Sequence, residues 1–226
     1  MICSKYIPVT GVRGYPKGKT NDGFELHFGI NHLGHFALFL ALKDVLMASS
    51  TPSFHSRVVS LSSSGHRESA IRFYDPHFDK NEEKYHEILA YGQSKTANIL
   101  MISEIERRYR AHGLHGLAVH PGGIIGTNLN RLTPADHIAA LAALPEVAIN
   151  LKSVEQGAAT TVWAAIAKEL EGKGEIYLED CQEGEQWDGN QAIMAPGYAV
   201  HIHDTEAASR LWEESLRMIG LPTEER

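Results

Sequence analysis

The sequence predicts an α/β protein, a parallel sheet with helices on both faces. Three observations point there. Residues 57–61 and 114–119 are short apolar runs, too short for helices and suited to strands buried on both faces. Longer segments of helical apolar period, residues 22–48, 85–112 and 153–170, alternate with them. Strand and helix alternating in this way build parallel sheets with crossover helices.

Taken in order, residues 1–20 are irregular. A short strand is expected near residues 1–9, interrupted by Lys5 and Pro8, because proline is poorly tolerated inside a sheet. Gly11, Gly14, Pro16 and Gly18 then mark a loop. Residues 22–48 predict one long helix, opened by an Asp22/Glu25 capping box and carrying an apolar stripe of Phe24, Phe28, Leu33, Phe36, Leu40 and Val45. Residues 49–53 form a polar turn, residues 57–61 a strand and residues 65–84 a polar loop. In the helix over 85–112, Ala90, Ala97, Leu100, Met101 and Ile105 are expected to pack on the sheet. Glu104, Glu106, Arg107, Arg108 and Arg110 are expected on a solvated face with i, i+4 pairs. After the strand at 114–119 come an alanine-rich segment, 133–151, broken by Pro145, and a helix at 153–170 with a Ser153/Gln156 capping box. A last strand at 174–178, a polar irregular stretch at 179–200 and a helix at 204–219 complete the chain.

Composition bounds the function. The chain has 226 residues, enough for one sizeable core, and is 43% hydrophobic and 22% charged, an ordinary globular balance. A net charge of −7 without a basic stripe argues against nucleic acid as partner. Two cysteines, Cys3 and Cys181, are too few for a disulfide framework, which makes a reducing compartment the expectation. His32 with His35, and His201 with His203, are spaced to share a face but lack further ligands, so no metal site is expected. No run approaches the ~20 apolar residues of a membrane span, and the N-terminus lacks a signal-peptide apolar region, so a cytoplasmic protein is expected.

The chemistry concentrates between residues 57 and 95. The strand at 57–61 ends in Ser62, Ser63 and Ser64, and Tyr91 and Lys95 lie one turn apart on the helix that comes next. A phenol titrates near ~10 and is a poor proton carrier at neutral pH unless a cation favours its anion. Lys95 can supply that cation, which would let Tyr91 serve as general acid or base, with a strand-end serine bonding the oxygen that gains or loses the proton. An isolated Tyr-x-x-x-Lys is common on surface helices. The ensemble with the serine strand, with Asn31-His-Leu-Gly-His35 upstream and with His120-Pro-Gly122 downstream is much rarer.

These motifs, with Asp22-Gly-Phe-Glu25 and the tail at 207–213, resemble the short-chain dehydrogenase/reductase family. Within it they resemble the retinol-dehydrogenase-like and WW-domain-oxidoreductase-like branch, including many fungal members, from about Lys19 to Gly220. The resemblance implies the C-terminal part of a doubly wound, Rossmann-like sheet, one truncated domain over residues 1–226 with a substrate lid at 133–151. It implies a catalytic set of Asn31, Ser63, Tyr91 and Lys95, with Asn31 holding a kink and a water that relays protons; the simpler reading of Asn31 is an asparagine bonded locally. It implies NADP(H), or NAD(H), held by Tyr91, Lys95, Gly122, Ile124 and Thr127. The expected reaction is hydride transfer to or from an alcohol or ketone of a hydrophobic small molecule, in a biosynthetic setting.

Against it, the family's first strand, glycine-rich turn and pyrophosphate-binding helix are not found in residues 1–20, where only Gly11 matches the family's Asn-Asn-Ala-Gly turn. A second hypothesis is therefore a pseudoenzyme or partner-binding protein that holds no nucleotide. The strand near residue 5 would then be a bare edge, covered by a second copy or a partner.

Overall fold

The computed structural model describes residues 11–80, 85–125, 127–189 and 195–223. The expected strand at residues 1–9, and with it the expected bare edge, lies outside the described residues. A parallel sheet is built from β1 (Ser56–Leu61), β2 (Leu114–His120) and β5 (Ile176–Glu179), in the order β1-β2-β5. Leu61 stands opposite Val119, and His120 opposite Glu179, so the carboxyl ends of all three strands form one rim. Two features were not expected. A two-residue strand β6 (Gln182–Glu183) turns back antiparallel to β5, and β3 (Gly123–Ile124) pairs with β4 (Leu151–Lys152) in a second, small parallel sheet.

Alternating strand residues divide the core between the two faces, as the two-residue period requires. Val58, Ala118 and Tyr177 pack with Met101, Ile102 and Ile105 of α3 (Glu87–Tyr109) and with Trp212 and Leu216 of α7 (Thr205–Met218). Val59, Leu117, Val119 and Leu178 face the other way, onto Ala164 of α6 (Val154–Ile166). The expected Ser153/Gln156 capping box opens α6. The segment at 133–151 holds α4 (Ala135–Ala142) and α5 (Pro145–Ala148), with Pro145 starting the second.

Helix α3 is buried from Ala90 to Glu106, with the sheet on one side and α7 on the other. Only part of its apolar set meets the sheet: Ala97 and Leu100 pack instead on Phe28, Leu33, Ala208 and Leu211. The solvated face expected around Glu104 holds only in part: Arg107 and Arg110 are exposed and Arg108 forms an i, i+4 pair with Glu104, but the two glutamates are turned inward. Glu104 and Glu106 are both buried. Glu104 accepts from Arg107 and Arg108 at 2.7 Å, and Glu106 accepts from His115 and from the Gly116 backbone. Buried carboxylates need such partners.

The first long helix also departs from the expected form. It begins at Leu26, not Asp22, because Gly23 adopts φ +89° in a turn closed by its N–H to Thr20 O. Glu25 is the cap, its carboxylate accepting from His27 and Phe28 N–H. The helix is α1 (Leu26–Phe28), then a π-turn at Gly29–Leu33, then α2 (Gly34–Ala48). The wider π-turn rotates α2 relative to an uninterrupted α-helix. Phe36, Phe39 and Leu46 become the buried face, and Val45, expected inside, is 59% exposed.

Helix α3 reaches the sheet over Gly116, where an added Cβ would lie 2.8 Å from Ile102 O. Gly116→Ala is therefore expected to cost about 1–3 kcal/mol in urea unfolding, an overpacking penalty. Gly34→Ala, whose Cβ would come no nearer than 3.5 Å to Gly29 O, should be neutral or stabilise by up to about 1 kcal/mol.

Candidate active site

The site begins where β1 runs out against α3. Lys95 Nζ and Asn98 Nδ2 both donate to Leu61 O, each at 3.1 Å, and Ser62 Oγ donates back to Lys95 O at 3.0 Å. These bonds give the three serines different positions. Ser62 ties strand to helix, Ser64 opens a 3₁₀ turn at Ser64–Glu68, and Ser63 stays extended at φ −164°. Ser63 Oγ accepts from Gly65 N–H at 3.1 Å and lies beside the Tyr91 ring, both packed over Gly65.

Two glycines that no motif singles out permit this approach. A Cβ on Gly65 would lie 2.9 Å from Tyr91 Cε1, and one on Gly92 would lie 2.6 Å from Gly65 O. The 3₁₀ turn can thus lie directly on the turn of α3 that carries Tyr91.

Lys95 is 4% exposed, and its Nζ lies 5.6 Å from the centre of the Tyr91 ring. Burial brings its pKa down to about 8. Tyr91 moves opposite to the expectation from Lys95 alone. Burial is the largest influence and pushes the phenol up, while the Ser63 hydroxyl and the Arg13 charge pull it down. Nothing in the local sequence marks Arg13 for this place. Its guanidinium lies 5.8 Å from the Tyr91 ring centre.

Asn31 sits in the π-turn and is fully buried. Its Oδ1 accepts from Val12 N–H at 2.7 Å, and its Nδ2 donates to Val12 O and Ser94 Oγ, each at 2.9 Å. Asn31 therefore fastens residues 11–12 to α3. A Cβ on Gly11 would lie 2.8 Å from Asn31 Oδ1 and 3.2 Å from Lys95 Nζ, which gives that glycine a steric reason.

The three residues expected at the nicotinamide end lie beyond the neighbouring strand end. Gly122 takes φ +87° under the Lys152 side chain, whose ammonium pairs with Asp180. Ile124 lies in β3 against Gly157. Thr127 Oγ1 caps the short turn at Asn128–Asn130. Among the described residues no hydrogen bond joins these three to Tyr91 or Lys95. A polar cleft of about 280 Å³ opens at the same rim, lined by His120, Gly122, Lys152, Gln156, Glu179 and Asp180 among others.

Glu179 is buried and accepts from Gly197 N–H at 2.6 Å, yet burial raises its pKa to about 7. Between about 4.5 and 7 the folded state holds a proton that the unfolded state has released, so stability falls as pH rises across that window. Glu179→Gln removes this dependence. Its stability relative to the parent should improve from pH 5 to pH 8, by about 1–3 kcal/mol, read as thermal midpoints at both pH values.

Comparison with known proteins adds the ancestry. The chain matches no protein-family model. It is 45% identical over 212 residues to the short-chain dehydrogenase/reductase prx1 of Penicillium roqueforti, covering 93% of this chain and 61% of that protein. It is 35% identical over 214 residues to mouse retinol dehydrogenase 12, covering 95% and 60%. The chain thus spans about three-fifths of the length of these relatives. Among solved structures, a Mycobacterium paratuberculosis protein of uncharacterised function superposes with a TM-score of 0.66 at 29% identity, over 98% of this chain and 69% of that one. The Pseudomonas aeruginosa RhlG/NADP complex shares the fold at a TM-score of 0.55 and 15% identity, over 77% and 62%. The order of motifs, the parallel sheet and these relatives agree: the chain belongs to the short-chain dehydrogenase/reductase family.

Proposed function

We propose that this protein is an oxidoreductase that exchanges hydride between NADP(H) and an alcohol or ketone of a hydrophobic small molecule. The observation that carries the reading is the meeting of Ser63, at the end of β1, with Tyr91 and Lys95, one turn apart on α3. Ser63 Oγ and the Tyr91 ring crowd the same face of Gly65, and Lys95 stands one turn below Tyr91 with its ammonium 5.6 Å from the ring centre. Such a cofactor supplies the hydride, and the protein supplies position and proton.

The residues present fit the nicotinamide-ribose end of the cofactor. An ammonium has three donors, and among the described residues Lys95 Nζ has one acceptor, Leu61 O, which leaves donors for ribose hydroxyls. Gly11 keeps the space beside Lys95 Nζ free of a side chain. Gly122, Ile124 and Thr127 are assigned to the nicotinamide on family pattern.

In this reading Ser63 bonds the substrate oxygen and Tyr91 moves the proton at that oxygen. A phenol raised by burial keeps its proton at neutral pH, the form that donates to an oxygen gaining negative charge, as in ketone reduction. Lys95, with a pKa near 8, is mostly an ammonium at pH 7. Asn31 holds the loop over this group through Val12.

The test is a fluorescence titration of the purified chain with NADPH, followed by turnover of a panel of hydrophobic ketones. Tyr91→Phe should leave NADPH affinity within about threefold and lower turnover by about 10²–10⁴-fold, the usual share of a general acid. A chain that binds no nucleotide at millimolar concentration would overturn this reading in favour of a partner-binding protein.

A further inference from the structure

We propose that Arg13 is a second cation acting on the Tyr91 hydroxyl, favouring its anion in concert with Lys95. The proposal rests on the reading that Tyr91 moves a proton. Its basis is geometric. The Arg13 guanidinium lies 5.8 Å from the Tyr91 ring centre, and Lys95 Nζ lies 5.6 Å from it, so two cations of near-equal distance attend one phenol.

The position of Arg13 is held from three directions. Its Nη1 donates to Asn130 Oδ1 at 3.1 Å, across to the turn that Thr127 caps. Val12, one residue before, is clasped by Asn31 through two hydrogen bonds. Tyr15, two residues after, donates its N–H to His27 Nε2 at 3.4 Å and accepts at its carbonyl from the Tyr85 hydroxyl at 2.8 Å. Asn31 and Lys95 leave no room for a side chain at Gly11, so the loop lies close over α3 with Arg13 two residues on.

Other groups face the same phenol. His27, from α1, sets its ring edge-on at 6.2 Å and is paired with buried Glu25 at 2.8 Å. Ser63 lies beside the ring at the end of β1. From β5, the Tyr177 phenol senses Tyr91. Arg13 and Lys95 are the arginine and lysine that stand over the ring. Burial of Tyr91 opposes the anion, and the charge of Arg13 acts against burial. Arg13 is itself exposed, so its effect is screened by solvent and salt.

The test uses the full chain with Tyr91 replaced by 3,5-difluorotyrosine, a more acidic phenol that ionises while the protein is folded. The midpoint is read by ¹⁹F NMR without any nucleotide. Arg13→Gln should raise it by about 0.5–1 pH unit, or three- to tenfold in the ionisation constant, as expected for one charge about 6 Å away at a partly solvated site. Arg13→Lys should restore at least half of the shift, and 0.5 M NaCl should shrink it. A midpoint unmoved by Arg13→Gln overturns the proposal. A purely structural Arg13 would change the thermal midpoint and leave the phenol unmoved. Because no nucleotide is present, a chain that shows the shift but fails to bind NADPH loses the oxidoreductase reading and keeps this one.

Discussion

The carbonyl of Leu61 is the point on which the site depends. It is the last residue of β1, and its oxygen takes hydrogen bonds from both Lys95 and Asn98, while Ser62 returns one to the Lys95 carbonyl. Buried backbone acceptors must be satisfied, and here the helix supplies the donors directly. The strand end therefore cannot slide along α3 without stranding these groups. That anchoring sets Ser63 opposite Tyr91 and keeps Lys95 on the same side, although the serine and the lysine lie 32 positions apart in the chain.

Burial sets the electrostatics around that anchor. It pushes Tyr91 up, brings Lys95 down to about 8 and raises Glu179 to about 7. All three shifts have one cause, the loss of water around an ionic form. The histidines in the same part of the fold obey the same rule: His120 falls to about 3 and His66 to about 4, so both are neutral at physiological pH. His66 then works as a hydrogen-bonding spacer. Its ring bonds Ser63 O on one side and the Ala199 N–H on the other, linking the site to the C-terminal segment. What opposes burial at Tyr91 is a hydroxyl and a positive charge that reaches it from the loop at residues 11–15.

Several parts of this arrangement are legible in the residues. The order of strands and helices comes from short apolar runs alternating with helical periods, and the Ser153/Gln156 cap stands where its residue types place it. Other parts are hidden, each for a physical reason. A π-turn leaves no trace in an apolar pattern except a change of phase, so an unbroken helical period puts Val45 inside and passes over Phe39. Glu104 and Glu106 look like surface charges; for Glu106 the partners, His115 and the Gly116 N–H, come from another element. Glu25 displaces Asp22 as the cap because Gly23, at positive φ, keeps the preceding residues in a turn.

The amino-acid order alone carries the family, the residue types available for chemistry and the pairing of Tyr91 with Lys95, since one turn of helix is a local property. Folding selects which of three adjacent serines meets the phenol, because Ser62 is spent on the Lys95 carbonyl and Ser63 is left extended beside the ring. Folding also sets the direction in which the phenol shifts. Charge and burial act on it in opposite senses. Their balance depends on how deeply α3 is packed and on an arginine 78 positions away, neither of which a local motif encodes.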